Sequence, residues 1–279
     1  MSNATSTTPE LLINGYETDT ISALDRGLHY GDGLFETLAV KGGRPLRWER
    51  HLLRLMQGCG RLGIPFPDVS DLTVEAQRLC AGQQTAVLKV IVTRGTGGRG
   101  YRRPAHPEPT RILARYPWPD YPQSHWHDGV RVRLCDTRLG SNPALAGMKH
   151  LNRLEQVLAR AEWSDEAIAE GLMFDSDDNV IEGTMCNLFL VSAGQLVTTE
   201  LSDCGIAGIM RGMILECAES MSLHCEVRPI NRAELLAADE LLLCNSVIGI
   251  WPVRALESRE YVPGTMTRRL MQALDTHHD

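Results

Sequence analysis

Ala144-Leu-Ala-Gly-Met-Lys-His-Leu-Asn-Arg-Leu-Glu155 is the stretch on which the reading of this chain turns. It places Lys149 at the junction of a strand, a loop and a helix, and the chain has only two other lysines, Lys41 and Lys89. A lysine becomes a nucleophile when desolvation leaves its amine neutral, and the small apolar approach Leu145-Ala-Gly-Met148 offers such surroundings. On residue type alone, an ordinary surface lysine near a helix start is the simpler reading. Lys41 falls in a hairpin turn and Lys89 inside a strand, so both are poorer candidates. The spacing of Leu151, Leu154, Val157 and Leu158 predicts an amphipathic helix from Leu151 to Trp163.

Outward from this stretch, strands and helices mix without a strict βαβ order. Toward the N-terminus, Leu11-Leu-Ile-Asn14-Gly15 reads as a strand ending in a hairpin-type turn. Leu34 to Val40 and Pro45 to Trp48 read as a hairpin around Lys41-Gly-Gly-Arg44. Leu52, Leu55, Met56, Cys59 and Leu62 predict one side of a helix that stops at Gly63, and a further helix spans Asp71 to Ala81. Val87 to Thr93 and Arg111 to Tyr116 are strands flanking a loop, Gly95 to Pro109. The proline-rich segment from Tyr116 to Asp128 separates two halves. Beyond it lie a strand from Val130, a hairpin around Asp175 to Asn179, a strand at Leu188 to Val191 and a helix at Ile209 to Ser222. Strands at Glu226 to Pro229, Glu240 to Cys244 and Val247 to Val253 follow, with helices at Glu234 to Ala238 and Thr265 to Leu274.

Composition narrows the function classes. The 279 residues, 43% of them hydrophobic and 23% charged, hold no apolar run near the ~18 residues of a spanning helix, so the expectation is a soluble protein. A net charge of -7 argues against a nucleic-acid binder. Eight dispersed cysteines, without a Cys-x-x-Cys pair, read as reduced thiols of a cytoplasmic protein, and Met1 to Glu10 lacks the order of a secretory signal.

Gly95-Thr-Gly97-Gly-Arg-Gly100 fits G-x-G-x-x-G but is followed by Tyr101-Arg-Arg-Pro104 where a dinucleotide site needs a helix, so the readings left are a mobile anion-attracting flap and, nearly on a par with it, a plain surface loop. Asp175, Asp177 and Asn179 lack the glycine and glutamate of a calcium loop and read as a turn. His125 and His127 have no further ligands nearby and read as solvated loop histidines; no metal site is expected. Glu182, at the end of a short strand, is a candidate buried carboxylate. Arg54 shares a helix face with His51 and can meet a phosphate. Gly208-Ile209-Met210-Arg211 opens a helix whose free N–H groups suit an anion, and Ser246 can add a hydroxyl. A lysine, a buried carboxylate, an arginine and a helix N-terminus together form the minimal set for pyridoxal phosphate.

On these residues, together with Leu12-Ile-Asn-Gly15, Asp25-Arg26, Tyr30-Gly-Asp-Gly33, His51-x-x-Arg54-Leu55, Arg94 to Tyr101 and Cys244-Asn245, the chain resembles the fold-type IV pyridoxal phosphate enzymes. Within them it is most similar to the 4-amino-4-deoxychorismate lyases, whose most specific block is Lys149-His-Leu-Asn-Arg-Leu-Glu155. The resemblance implies a two-domain α+β and α/β fold like that of D-amino-acid aminotransferase. Residues 1–10 would form a polar leader, 11–116 a small α+β domain, 117–128 an interdomain loop and 129–279 a larger, β-barrel-like cofactor domain with helices. It implies Lys149 as the lysine that carries pyridoxal 5'-phosphate and moves protons, with Thr37 assisting. Glu182 would partner the pyridine nitrogen, and Arg54, Ile209, Met210 and Ser246 would surround the phosphate. Tyr30, Arg99, Tyr101 and Asn152 are implied on the substrate side. The implied reaction is β-elimination of 4-amino-4-deoxychorismate to 4-aminobenzoate and pyruvate, in folate biosynthesis, by a cytoplasmic homodimer. The alternative is a D-amino-acid or branched-chain aminotransferase of the same fold; Glu182-Gly183-Thr184 has an aminotransferase-like look.

Overall fold

The computed structural model describes residues 10–275. They divide into two units, one of residues 10–120 with 149–152, the other of residues 121–148 with 153–275.

The first unit holds β1 (Glu10–Ile13), α1 (Arg26–Tyr30), β2 (Gly33–Lys41), β3 (Arg44–Pro45), α2 (Trp48–Leu62), α3 (Val69–Cys80), β4 (Thr85–Thr93) and β5 (Thr110–Pro117). The five strands form an antiparallel sheet in the order β1-β5-β4-β2-β3. β4 shows why: Ala86, Leu88, Val90 and Val92 are buried in alternation, while Val87, Lys89 and Ile91 face the other side, half-buried. α2 lays His51, Leu52, Leu55, Gly58 and Cys59 inward and ends at Gly63, whose left-handed φ of 65° lets its N–H reach the carbonyls of Cys59 and Gly60. A Cβ on Gly58 would lie 2.9 Å from Leu34, so the small residue allows the helix to sit close to β2.

Several sequence expectations are corrected here. The strand expected at Pro45 to Trp48 is only Arg44–Pro45, because Trp48 already opens α2. Met56, expected on the packed side of that helix, is 44% exposed. The Asn14-Gly15 turn forms, with both residues at positive φ, but only Tyr16 answers Ile13 across it and β1 pairs with β5 instead. Residues 149–152 are extended, not helical: the Lys149 carbonyl accepts from Phe35 N (2.9 Å), and Leu151 N donates to the Gly33 carbonyl (3.0 Å). Backbone groups used on β2 are lost to a helix, so the helix starts at Leu154.

The second unit contains α4 (Ser124–His127), β6 (Val130–Arg138), α5 (Leu154–Arg160), β7 (Ile168–Phe174), β8 (Val180–Gly183), β9 (Asn187–Ser192), β10 (Gln195–Thr199), α6 (Ile209–Ser220), β11 (Cys225–Arg228), α7 (Arg232–Ala237), β12 (Glu240–Asn245), β13 (Gly249–Leu256), β14 (Arg259–Glu260) and α8 (Thr265–Asp275). Its nine-stranded sheet runs β11-β10-β9-β12-β13-β6-β7-β8, with β14 beside β13. Pairing is mixed: β10 with β11, β13 with β6 and β6 with β7 are parallel. β9 is apolar from Leu188 to Val191 because both its faces are covered there. Leu188 and Leu190 join one core with Leu235 of α7, and Phe189 and Val191 join another with Met210 and Ile214 of α6 and Leu270 of α8.

In α5 the expected apolar face is not packed: Leu154 is 77% exposed and Val157 and Leu158 are each 61% exposed, while Gln156 and Ala159 turn inward. His125 is also corrected, for it lies in α4 with its ring 4.9 Å from that of buried Trp251. Burial and nearby Arg254 push its pKa down.

Candidate functional site

In the first unit the site residues are organised by β2. Backbone bonding of Lys149 to Phe35 places the Lys149 ammonium 4.4 Å from the centre of the Phe35 ring. Thr37, two residues on, shares that face, since side chains alternate along a strand. Its cross-strand partner on β4 is Lys89, whose ammonium is 5.2 Å from the same ring. Burial pushes the Lys89 pKa down. This face therefore carries two lysines, a hydroxyl and an aromatic ring.

The opposite face of β2 carries Glu36, 2% exposed. Its carboxylate accepts from Arg54 Nε (2.8 Å) and Nη2 (2.5 Å) and bonds to His51 Nδ1 (2.6 Å). Burial opposes ionisation of Glu36, but Arg54 and His51 outweigh it and hold its carboxyl below its ordinary pKa. Burial pushes His51 down despite Glu36. Arg54 is thus fixed by a fork of two parallel bonds before any ligand is considered.

Near α1, the Tyr30 hydroxyl accepts from Gly100 N (3.2 Å) and its ring lies 5.3 Å from that of Tyr101. Arg99 is exposed and Tyr101 is 85% exposed. Asn152 donates its amide to the Gly31 carbonyl (3.2 Å).

In the second unit Glu182 lies on β8, 3% exposed. Its Oε2 accepts from Ile206 N (2.9 Å) and Asn187 Nδ2 (3.4 Å), and Asn187 Nδ2 also donates to the Ile206 carbonyl (2.8 Å). Two residues beyond Ile206, Gly208 caps α6 without a side-chain bond, leaving the N–H groups of the first turn, at Ile209 and Met210, without a protein side-chain cap. A Cβ at Gly208 would lie 2.1 Å from Asn187 Oδ1, so only glycine permits this approach. Arg211, in the same turn, donates to the Thr199 carbonyl (2.9 Å) and keeps a buried Nε without a partner. Ser246 sits in the turn between β12 and β13, which the Asn245 side chain closes by accepting from Val247 N (2.8 Å) and Ile248 N (2.9 Å).

Reading the sequence alone missed several groups. Glu36 and Lys89 looked like ordinary polar positions of strands. Glu170 is fully buried and accepts from Gly171 N (2.9 Å), Thr184 N (3.0 Å), Thr184 Oγ1 (2.5 Å) and Met185 N (3.0 Å). It ties down the turn that carries the chain from Glu182 to Asn187, and burial pushes its pKa up. The one available signal was a glutamate amid the apolar run of β7.

The residues therefore offer, within one unit, a lysine over an aromatic ring and, within the other, a buried oriented carboxylate followed by an uncapped helix start. The amino-transferase class IV family model matches residues 33–256. The chain is 35% identical over 268 residues to the aminodeoxychorismate lyase of Vibrio harveyi, covering 95% of this chain and 99% of that one. Against the crystal structure of 4-amino-4-deoxychorismate lyase from Pseudomonas aeruginosa it has a TM-score of 0.91 and 52% identity, over 96% of this chain and 98% of that one. It is also 25% identical over 271 residues to the branched-chain-amino-acid aminotransferase of Escherichia coli K12, over 92% of this chain and 88% of the other. Matched by that family model over most of its length and by such relatives nearly end to end, the chain belongs to the class IV aminotransferase family.

Proposed function

We propose that this protein is a pyridoxal 5'-phosphate-dependent lyase that converts 4-amino-4-deoxychorismate to 4-aminobenzoate and pyruvate. The observation that carries the reading is the β2–β4 face on which Lys149 lies over Phe35 beside the Thr37–Lys89 pair. It combines a base, a hydroxyl able to pass a proton, and a second cation for a substrate carboxylate, which is what elimination from a dicarboxylate needs. The similarity to lyases of that name over almost the whole chain supports the same choice.

The residues fit the cofactor. The helix start at Ile209 and Met210, with no side-chain cap and an unpartnered Arg211 Nε nearby, is suited to a phosphate, with Ser246 and the Glu36-held Arg54 as further donors. Glu182, oriented by Ile206 and Asn187, is suited to hold a proton on a pyridine nitrogen. Lys149 would carry the cofactor through its amine. When bound, pyridoxal phosphate supplies a sink for the electrons left on the substrate carbon that loses its proton.

The protein's own groups do the rest. The Lys149 amine takes the proton from C4 of the ring, the bond from C3 to the enolpyruvyl oxygen breaks, and the ring becomes aromatic. Lys149, assisted by Thr37, returns a proton to the methylene carbon of the departing enolpyruvate, giving pyruvate. Tyr30, Arg99, Tyr101, Asn152 and Lys89 are assigned to the substrate, the cations to its carboxylates. We further assign it to the cytoplasm, in keeping with eight free cysteines, of which only Cys225 is not buried, and to a homodimer, in keeping with the uncovered apolar face of α5.

Purified protein supplied with pyridoxal phosphate and 4-amino-4-deoxychorismate, without a keto acid, is expected to release 4-aminobenzoate and pyruvate in equal amounts. Absence of both, with amino transfer appearing on addition of a keto acid, would make it an aminotransferase instead.

A further inference from the structure

The Gly95–Pro109 loop between β4 and β5 is tied at its mouth and at its tip by one dipeptide, Asp25-Arg26. Asp25 is fully buried, and its Oδ2 accepts from Thr93 Oγ1 (3.0 Å) and Thr110 Oγ1 (2.7 Å), the residues flanking the loop. Its Oδ1 accepts from Gly27 N (2.8 Å) and so caps α1. Arg26, 4% exposed, secures the tip. Its Nη1 donates to the carbonyls of Gly100 (3.0 Å) and Arg102 (3.4 Å), and its Nη2 to that of Tyr101 (3.3 Å). Nε donates to Asp32 (2.8 Å), which also binds Arg94 (2.7 Å). Tyr30 covers the guanidinium at 4.9 Å and accepts from Gly100 N. A Cβ on Gly97 would lie 2.8 Å from Arg26 Cδ, so the loop backbone is folded directly onto the arginine.

Loops of this length without secondary structure are costly to order, and ordering them upon binding subtracts from affinity. Here a buried, charge-balanced guanidinium orders the backbone in advance, while the Arg99 and Tyr101 side chains stay exposed. We propose that Arg26 is a positioning residue for substrate recognition: by holding the carbonyls of Gly100, Tyr101 and Arg102 it presents Arg99 and Tyr101 to the substrate carboxylates on a pre-ordered loop. The proposal rests on the lyase reading.

The test compares Arg26→Ala with the wild type, both as full-length, cofactor-loaded protein. Trypsin can cut after Arg99 and Arg102, whereas Arg103 is shielded by the proline that follows. Release of the loop is expected to speed both cuts, and to raise KM for 4-amino-4-deoxychorismate about tenfold with kcat within about twofold. Guanidinium ion is expected to lower that KM again, where sodium at equal ionic strength does not. An unchanged digest overturns the clamp; a faster digest with unchanged KM, or a joint fall of kcat and cofactor binding without rescue, overturns the recognition role. If Arg26→Ala does not fold, Arg26→Gln carries the same comparison. Should the wild type release no 4-aminobenzoate, the lyase reading falls and the recognition role with it, while the digest still reports separately on the clamp.

Discussion

Lys149 owes its place to backbone bonds made at it and just beyond it, by its own carbonyl and by Leu151 N, so its side chain is presented to Phe35 by a fixed main chain. Lys149→Ala is expected to keep the fold and lower turnover about a thousandfold or more. Borohydride treatment followed by mass spectrometry is then expected to show no cofactor attached to the chain. Lys89, opposite Thr37, is assigned a different task, charge recognition. Lys89→Met is expected to raise KM about tenfold while kcat changes little, a split measurable by steady-state kinetics. A comparable fall in kcat would place Lys89 in the proton chemistry instead.

At the scale of elements, α6 and α5 carry separate expectations. The start of α6 depends on Gly208, because any side chain there collides with Asn187, which helps orient Glu182. Gly208→Ala is expected to weaken pyridoxal phosphate binding about tenfold or more, read by equilibrium dialysis, with a smaller effect on thermal stability. In α5, Leu154, Val157 and Leu158 form an apolar face left open in the single chain. If this face closes the proposed homodimer, Leu158→Lys is expected to shift sedimentation from dimer toward monomer without loss of secondary structure. An unaltered dimer would move the interface elsewhere.

For the whole molecule, stability should depend on acid more than on base near neutrality. Glu36 and Asp32 have folded pKa values below their ordinary 4.5 and 3.8, since their arginine partners outweigh burial. The stability they add is present above those ordinary values and is lost as pH falls through the lowered ones. His51, pushed below its ordinary 6.5 mainly by burial, favours the folded state only while neutral, so destabilisation begins as pH falls through that value. The urea midpoint is therefore expected to drop from pH 7.5 to pH 5 and further toward pH 4, the drop being reduced by buried Glu170, whose raised pKa adds stability as pH falls. Glu36→Gln is expected to cost about 3 kcal/mol or more at pH 7.5, through the charge partner lost to half-buried Arg54 and buried His51, and to flatten the decline below pH 5.

Much of the fold was legible because its signals are local. The β-branched run of β4, the helix stop at Gly63 and the apolar Leu188 to Val191 run of β9 each follow from residue type or from a single φ. Lys149 is one of three lysine candidates and by residue type alone an ordinary surface lysine; it and Glu182 gain their proposed roles only from the resemblance of the whole motif set. Tertiary structure decided the rest. Helical spacing after Lys149 could not reveal that β2 would claim the backbone of residues 149–152, or that α5 would leave its leucines uncovered. Nor could a lone glutamate in a strand reveal that Glu36 grips Arg54 and His51, or Asp25-Arg26 that it fastens the loop running to Pro109. Such pairings join positions distant in the chain, and their partners are chosen by three-dimensional packing and by the need to satisfy buried charge, which no local pattern encodes.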